Sequence, residues 1–206
     1  LAHGAGVGFD SPFMTAFAEG LAVRGVRVAR FEFPYMAANR ADGRRRPPPP
    51  AHKLIATYQR VVDALGGPGR VAIGGKSMGG RVATLLAAEL ERAGTPVPAA
   101  VAVGYPFHPP GRPEQLRTDH LVALKTPLLI CQGTRDPFGT LEEVAGYSLS
   151  PAVRLHWTPD GDHHLAPRKA TGRTARQAWD EAIGAVAAFV GAACPARPVA
   201  PGIGGA

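Results

Sequence analysis

Short apolar runs alternate along the chain with longer stretches whose apolar residues recur at helical spacing. The runs "VRVARFEFP" (26–34), "RVAIGG" (70–75), "AAVAVGYPFH" (99–108), "TPLLICQGTRDP" (126–137) and "VRLHWTP" (153–159) are rich in β-branched and small apolar residues, and a sixth is cut short at the opening "LAH". Runs of this length bounded by glycine, proline or aspartate read as strands. Between them lie the periodic stretches. A helix begins near Asp10 to Pro12, where a capping residue and a first-turn proline coincide. Others are expected in "AHKLIATYQRVVDALG" (51–66), "GGRVATLLAAELERAG" (79–94), "LEEVAGYSL" (141–149) and "TARQAWDEAIGAVAAFVGAA" (174–193). The segment "YMAANRADGRRRPPPP" (35–50) is polar and proline-rich, and is expected to be a long loop of polyproline II character. "PPGRPEQLRTDHLVAL" (109–124) reads as a connection holding one short helix.

Strand–helix alternation predicts the α/β class: a mostly parallel sheet of about six strands with helices on both faces, in one domain over residues 1–193. Residues 194–206, "CPARPVAPGIGGA", lack the apolar content to order themselves and are expected to form a flexible tail. The first strand is expected to be a truncated one, because Leu1 already stands inside a motif.

In such sheets ligands bind outside the carboxyl ends of the strands, so chemistry is sought just after each run. His3-Gly4-Ala5-Gly6 follows the first, Gly75-Lys76-Ser77-Met78-Gly79 the third, Asp136 the fifth and Gly161-Asp162-His163-His164 the sixth. A nucleophile, a carboxylate, an imidazole and a glycine-rich turn are thereby delivered to one edge. A serine hydroxyl needs a base to take its proton as it attacks, histidine suits that role, and a carboxylate holds the histidine's tautomer. Glycines flanking Ser77 fit a sharp strand-to-helix turn that aims the Met78 amide at a developing oxyanion; Ala5 is the expected second donor. The order Ser77, Asp136, His163 is that of the α/β-hydrolase arrangement.

The segments "LAHGAG", "FEFPYM", "RPPPP", "GGKSMGGRVA", "GYPFHPPGRPEQLRTDHL", "QGTRDPFG" and "GDHHLAPRK" together resemble the small α/β-hydrolase-fold proteins related to dienelactone hydrolases. That group includes testis-expressed and NSL-complex-subunit homologues. The resemblance runs over roughly residues 1–190. It implies a fold without a large lid domain, with Ser77, Asp136 and His163 in the catalytic triad positions. It supplies no substrate, and His164 stands where relatives more often carry a small or acidic residue.

Each residue also has a plainer reading. Ser77 fits a small residue in a tight turn, and Asp136 fits a cap for a helix starting near Pro137. Asp162 and His164 are the rival carboxylate and base, although a carboxylate adjacent to His163 is a poor orienter. His156 reads as a structural or surface histidine, and His3 as a shaper of the oxyanion turn. Lys76 either contributes to substrate binding or faces solvent.

Composition narrows the alternatives. Hydrophobic residues make up 45% and charged residues 19%, ordinary values for a globular domain. No segment approaches the roughly 18 uninterrupted apolar residues of a membrane span. The formal net charge of +7 comes mainly from arginine, with lysine only at 53, 76, 125 and 169. These basic residues are scattered and no nucleic-acid module is present, so no nucleic-acid partner is expected. The run Arg44-Arg45-Arg46 follows a strand end and, with Arg112 and Arg117, is a candidate attractor for a carboxylate- or phosphate-bearing substrate. Cys131 and Cys194 form neither a disulfide framework nor a metal cluster, favouring a reducing cytoplasm. "GDHH", "GVGFDSP" and "GGKSMGG" do not meet metal, dinucleotide or phosphate-loop spacings, so no metal and no cofactor are expected. The expected function is a serine hydrolase acting on a small ester or thioester through an acyl-enzyme. The alternative is a hydrolase fold kept as a binding or scaffolding module with little turnover.

Overall fold

The computed structural model describes residues 1–194 of the chain, so the expected tail lies outside the described residues except for Cys194, which caps the last helix. Strands β1 (Ile73–Lys76), β2 (Ala100–Val103), β3 (Leu128–Gly133) and β4 (Val153–Thr158) form one sheet in that order. All three pairings are parallel. The α-helices of the described residues are α1 (Pro12–Ala22), α2 (Pro34–Asp42), α3 (Ile55–Ala64), α4 (Met78–Arg92), α5 (Leu141–Ala145) and α6 (Ala175–Ala193), with short 3₁₀ turns between some of the elements.

Both faces of the sheet are covered, which is why the central strands are apolar throughout rather than alternating. Along β2 and β3, Ala100, Ala102, Leu128 and Ile130 pack with Val82, Leu86 and Leu90 of α4 and with Tyr58 and Val62 of α3. The intervening Val101, Val103, Leu129 and Cys131 pack with Phe13, Phe17 and Leu21 of α1 and with Ile183 and Val186 of α6. The period-2 alternation of side chains thus assigns successive residues to two separate cores.

Two of the six expected strands are reduced to single bridges. Ala2 bridges Gly75 on one side and Phe31 on the other, both in parallel sense. The segment 26–34 therefore meets only the short Leu1–Ala2 stretch, and a ladder cannot extend further than its partner. The backbone nitrogens of Leu1 and Ala2 donate to Ala29 O (2.5 Å) and Gly74 O (2.9 Å), so the direction of a β-pairing is kept.

The larger correction is in the segment 35–50, expected to be loop: its first part, 35–42, together with Pro34, which was expected to end a strand, forms α2. Pro34 occupies the first turn, where its missing N–H costs no intrahelical bond, and Gly43 ends the helix in the left-handed conformation at φ 70°. α2 buries no residue. It is held instead by side-chain bonds: Arg40 binds Asp10 and Glu32, and the Tyr35 hydroxyl donates to Ala5 O at 3.0 Å. α1 starts at Pro12 as expected, with Ser11 Oγ accepting from Met14 N.

Because Ile130 is fully buried between the sheet and α4, Ile130→Ala is expected to lower the unfolding free energy by about 2–5 kcal/mol. Val23→Ala, at a residue 82% exposed, is expected to stay within about 0.5 kcal/mol. Urea denaturation of the two variants measures the contrast.

Candidate active site

β1 runs into α4 through Ser77, whose backbone sits at φ 51°, ψ −116°, a region that non-glycine residues rarely adopt. Such geometry costs of order 1–3 kcal/mol and persists only where the surroundings enforce it. Here the close approach of α4 to the strand ends enforces it. A Cβ on Gly75 would lie 2.6 Å from Ala2 O and from the Gly79 carbonyl carbon, and one on Gly79 would lie 2.5 Å from the carbonyl oxygens of Ala2 and His3. Only glycine leaves room for the turn.

Ser77 stands at the N-cap of α4, yet its side chain caps nothing. Its hydroxyl lies 2.9 Å from His163 Nε2. His163 Nδ1 lies 2.8 Å from Asp136 Oδ2. A carboxylate only accepts, so Nδ1 carries the proton towards Asp136 and Nε2 is left to accept from the serine. The three residues come from the ends of β1, β3 and β4, far apart in sequence. The structure brings together the residues that the sequence pattern selected, and it separates the rivals. Asp162 Oδ1 accepts from the backbone nitrogens of His164 (2.8 Å) and Ala166 (2.9 Å), which shapes the loop and leaves His163 to Asp136. His164 is exposed, with its carbonyl bound to Trp179 Nε1 at 2.7 Å. His156 is half-buried on β4.

Asp136 is fully buried and fully engaged. Its Oδ1 accepts from Phe138 N at 2.9 Å and so closes a turn, but no helix starts near Pro137: the next one, α5, begins at Leu141 and is capped by Thr140. Its Oδ2 further accepts from Gln132 Nε2 at 3.0 Å. Gln132, which the sequence reading did not single out, is also fully buried; its Oε1 accepts from Tyr105 N at 2.7 Å and its Nε2 reaches Tyr105 O at 3.1 Å. It ties the segment after β2 to the carboxylate, and a polar residue inside the apolar run "LLICQG" was the available signal. Phe138 lies against the His163 ring, with centroids 4.3 Å apart, and limits its rotation.

Lys76 does not face solvent. It is 5% exposed, its ammonium donates to His163 O at 2.7 Å, and it sits over the Phe13 ring. Burial holds its pKa down at about 8, against the opposing pull of Asp136 and Asp162. The turn after Ala2 lies beside the serine: a Cβ on Gly4 would be 3.8 Å from Ser77 Cβ. His3 anchors this turn from below. Its Nε2 accepts from Phe33 N at 3.1 Å, which leaves Nδ1 as the donor to Gly4 O at 2.7 Å. Met78 begins α4, so its N–H is one of the helix's first donors without an intrahelical partner, and Ala5 is exposed in the facing turn. Arg44 lines a groove beside Ala5; Arg112 is exposed in the segment after β2 and does not line that groove.

The sequence matches the alpha/beta hydrolase domain family over residues 1–191. The chain belongs to that family. Among solved structures it is similar to a protein from Xanthomonas campestris pv. campestris placed in the alpha/beta hydrolase superfamily, at 22% identity over 89% of this chain and 96% of that one, with a TM-score of 0.59. The esterase domain of a Rhodothermus marinus protein aligns at 16% identity, covering 92% and 84% of the two chains, with a TM-score of 0.63. An alpha-beta serine hydrolase homologue from Coxiella burnetii gives 14% identity, 91% and 82% coverage and a TM-score of 0.62. At these identities the likeness is one of fold.

The buried ammonium of this alpha/beta hydrolase gives a pH signature. A lysine with pKa about 8 when folded and 10.5 ordinarily binds fewer protons folded than unfolded between those values, so stability rises with pH across that window. Lys76→Met is expected to flatten the rise. Unfolding free energies measured from pH 7 to 10 test this, and an unchanged slope in the variant contradicts it.

Proposed function

We propose that this alpha/beta hydrolase is a serine hydrolase that cleaves a small ester or thioester through an acyl-enzyme. The observation that supports this reading most directly is the unbroken chain from Ser77 Oγ through His163 to the buried Asp136, with both contacts below 3 Å. Ser77 Oγ attacks the substrate carbonyl carbon while His163 Nε2 takes its proton. The negative charge that moves onto the carbonyl oxygen is received by the amides of Met78 and Ala5. The tetrahedral adduct collapses, the bond to the alcohol or thiol breaks, and His163 returns its proton to the leaving group. Water, deprotonated by the same imidazole, then releases the acid and restores Ser77. Asp136 holds the tautomer and stabilises the imidazolium; Gln132 and Phe138 hold Asp136 and the ring in place.

The size of the substrate follows from what surrounds the serine. The connection from β2 to β3 contains a single three-residue turn of 3₁₀ helix, Asp119–Leu121, with no inserted helical domain to enclose a long chain. A shallow, open site suits short acyl groups, as in the dienelactone-hydrolase-like proteins that the sequence resembles. Cys131 is buried and unpaired and Cys194 is unpaired, which favours action in a reducing cytoplasm.

A fluorophosphonate probe is expected to label the parent protein and not Ser77→Ala. Asp136→Asn is expected to lower kcat on short p-nitrophenyl esters by about 10³–10⁴-fold, because it allows the wrong imidazole tautomer. Labelling that persists in Ser77→Ala rejects the nucleophile, and a folded parent that never labels favours a binding or scaffolding role.

A further inference from the structure

Beside the turn that carries Ala5 lies a groove of about 390 Å³, lined by Ala5, Gly6 and Met36 and by the four arginines Arg40, Arg44, Arg45 and Arg46. The basic wall is built from a stapled turn. The Asn39 side chain binds both backbone groups of Arg46, accepting from its N–H at 3.0 Å and donating to its carbonyl at 3.3 Å. Gly43 turns the chain at φ 70°, and Asp42 accepts from Arg44 N at 3.0 Å while pairing with the Arg46 guanidinium. The turn is closed by its own side chains.

The arginines here differ in what they already hold. Arg40 is bound to both Asp10 and Glu32, and Arg46 to Asp42. Arg44 and Arg45 have no carboxylate partner among the described residues, although they project from the same turn. All four arginines line the groove, but three acidic residues are spent on the two that fix the turn, which leaves the guanidinium groups of Arg44 and Arg45 uncommitted. A pair of uncommitted, exposed guanidinium groups lining an open groove suits an oxyanion, which they can meet with paired N–H donors. The groove begins at Gly6 and Ala5, whose neighbour Gly4 abuts Ser77, so an anion held there is within a short substrate's length of the nucleophile.

We propose that Arg44 and Arg45 form a subsite for the anionic end of a short ester or thioester, a carboxylate or a phosphate group carried on the acyl or leaving portion. This rests on the serine-hydrolase reading for its catalytic consequence, but the anion site itself does not need it. Because the guanidinium groups are exposed, the attraction weakens as salt is raised and acts mainly on KM. Arg112, outside the groove, takes no part.

The test has two arms. In the first, the p-nitrophenyl esters of succinate, of 3-phosphonopropionate and of uncharged butyrate are compared in the parent, in the Arg44→Gln/Arg45→Gln double variant and in Arg112→Gln. The expected result is a preference for one or both charged esters over butyrate that falls about tenfold in the double variant and stays in Arg112→Gln; which ester leads tells carboxylate from phosphate. An unchanged ratio, or an equal loss on all three esters, overturns the proposal. In the second arm, succinate and inorganic phosphate are titrated at low ionic strength into Ser77→Ala with and without the double substitution, and Tm is followed. A rise in Tm that needs Arg44 and Arg45 supports the subsite even if Ser77 proves not to be the nucleophile. No rise with either ion, or the same rise in both proteins, overturns it.

Discussion

The packing of α4 hard against the carboxyl ends of the strands is the constraint on which the site depends. Gly75 and Gly79 have no side chain because the carbonyls of Ala2 and His3 occupy the space. That contact leaves Ser77 with a positive φ and turns its hydroxyl away from the helix it would otherwise cap. A serine at a helix N-cap ordinarily satisfies a backbone donor and gains about 1 kcal/mol for the fold. Here that gain is forgone and strain is accepted, and what is obtained in exchange is a hydroxyl within reach of an imidazole.

The imidazole is held by a polar network buried at the same edge. Asp136 accepts from His163, Phe138 and Gln132, and Gln132 reaches across to the backbone of Tyr105. Lys76 fixes the His163 main chain from beneath while Phe138 restrains its ring. An incompletely bonded group in such a setting is expensive, so the satisfied network narrows the positions the ring can take. Position matters more than identity here: the rival carboxylate Asp162 and the rival base His164 are chemically equivalent to the residues used, but Asp162 is turned to backbone donors of its own loop and the exposed His164 ring, beside that of His163, bonds neither Ser77 nor Asp136.

Much of this was legible in the chain. The positions of Ser77, Asp136 and His163 follow from a simple rule, that side chains just after the strands of a parallel sheet share one edge, and the order of the three residues supplied a second check. Buried strands announced themselves as apolar runs because both faces are covered. What was not legible has physical causes. α2 was masked by the prolines and arginines that follow it, although Pro34 and Gly43 mark its two ends, and an exposed helix held by ion pairs carries no apolar stripe to read. The ladder at the Ala2 edge is shorter than the apolar run 26–34 suggests, because a strand is only as long as its neighbour. Lys76 and Gln132 were not placed because burial of a polar side chain depends on three-dimensional partners, here the His163 carbonyl and the Asp136 carboxylate, that lie far away in sequence.

Activation of Ser77 by His163 requires one direction of the hydrogen bonds through the imidazole, from Ser77 to Nε2 and from Nδ1 to Asp136. ¹⁵N NMR of the neutral imidazole in the folded parent protein reads that direction without any substrate. A proton on Nδ1 with Nε2 bare is the predicted result, since Asp136 accepts at one nitrogen and Ser77 donates at the other. A proton on Nε2, or the averaged signal of a ring exchanging freely with water, would contradict it.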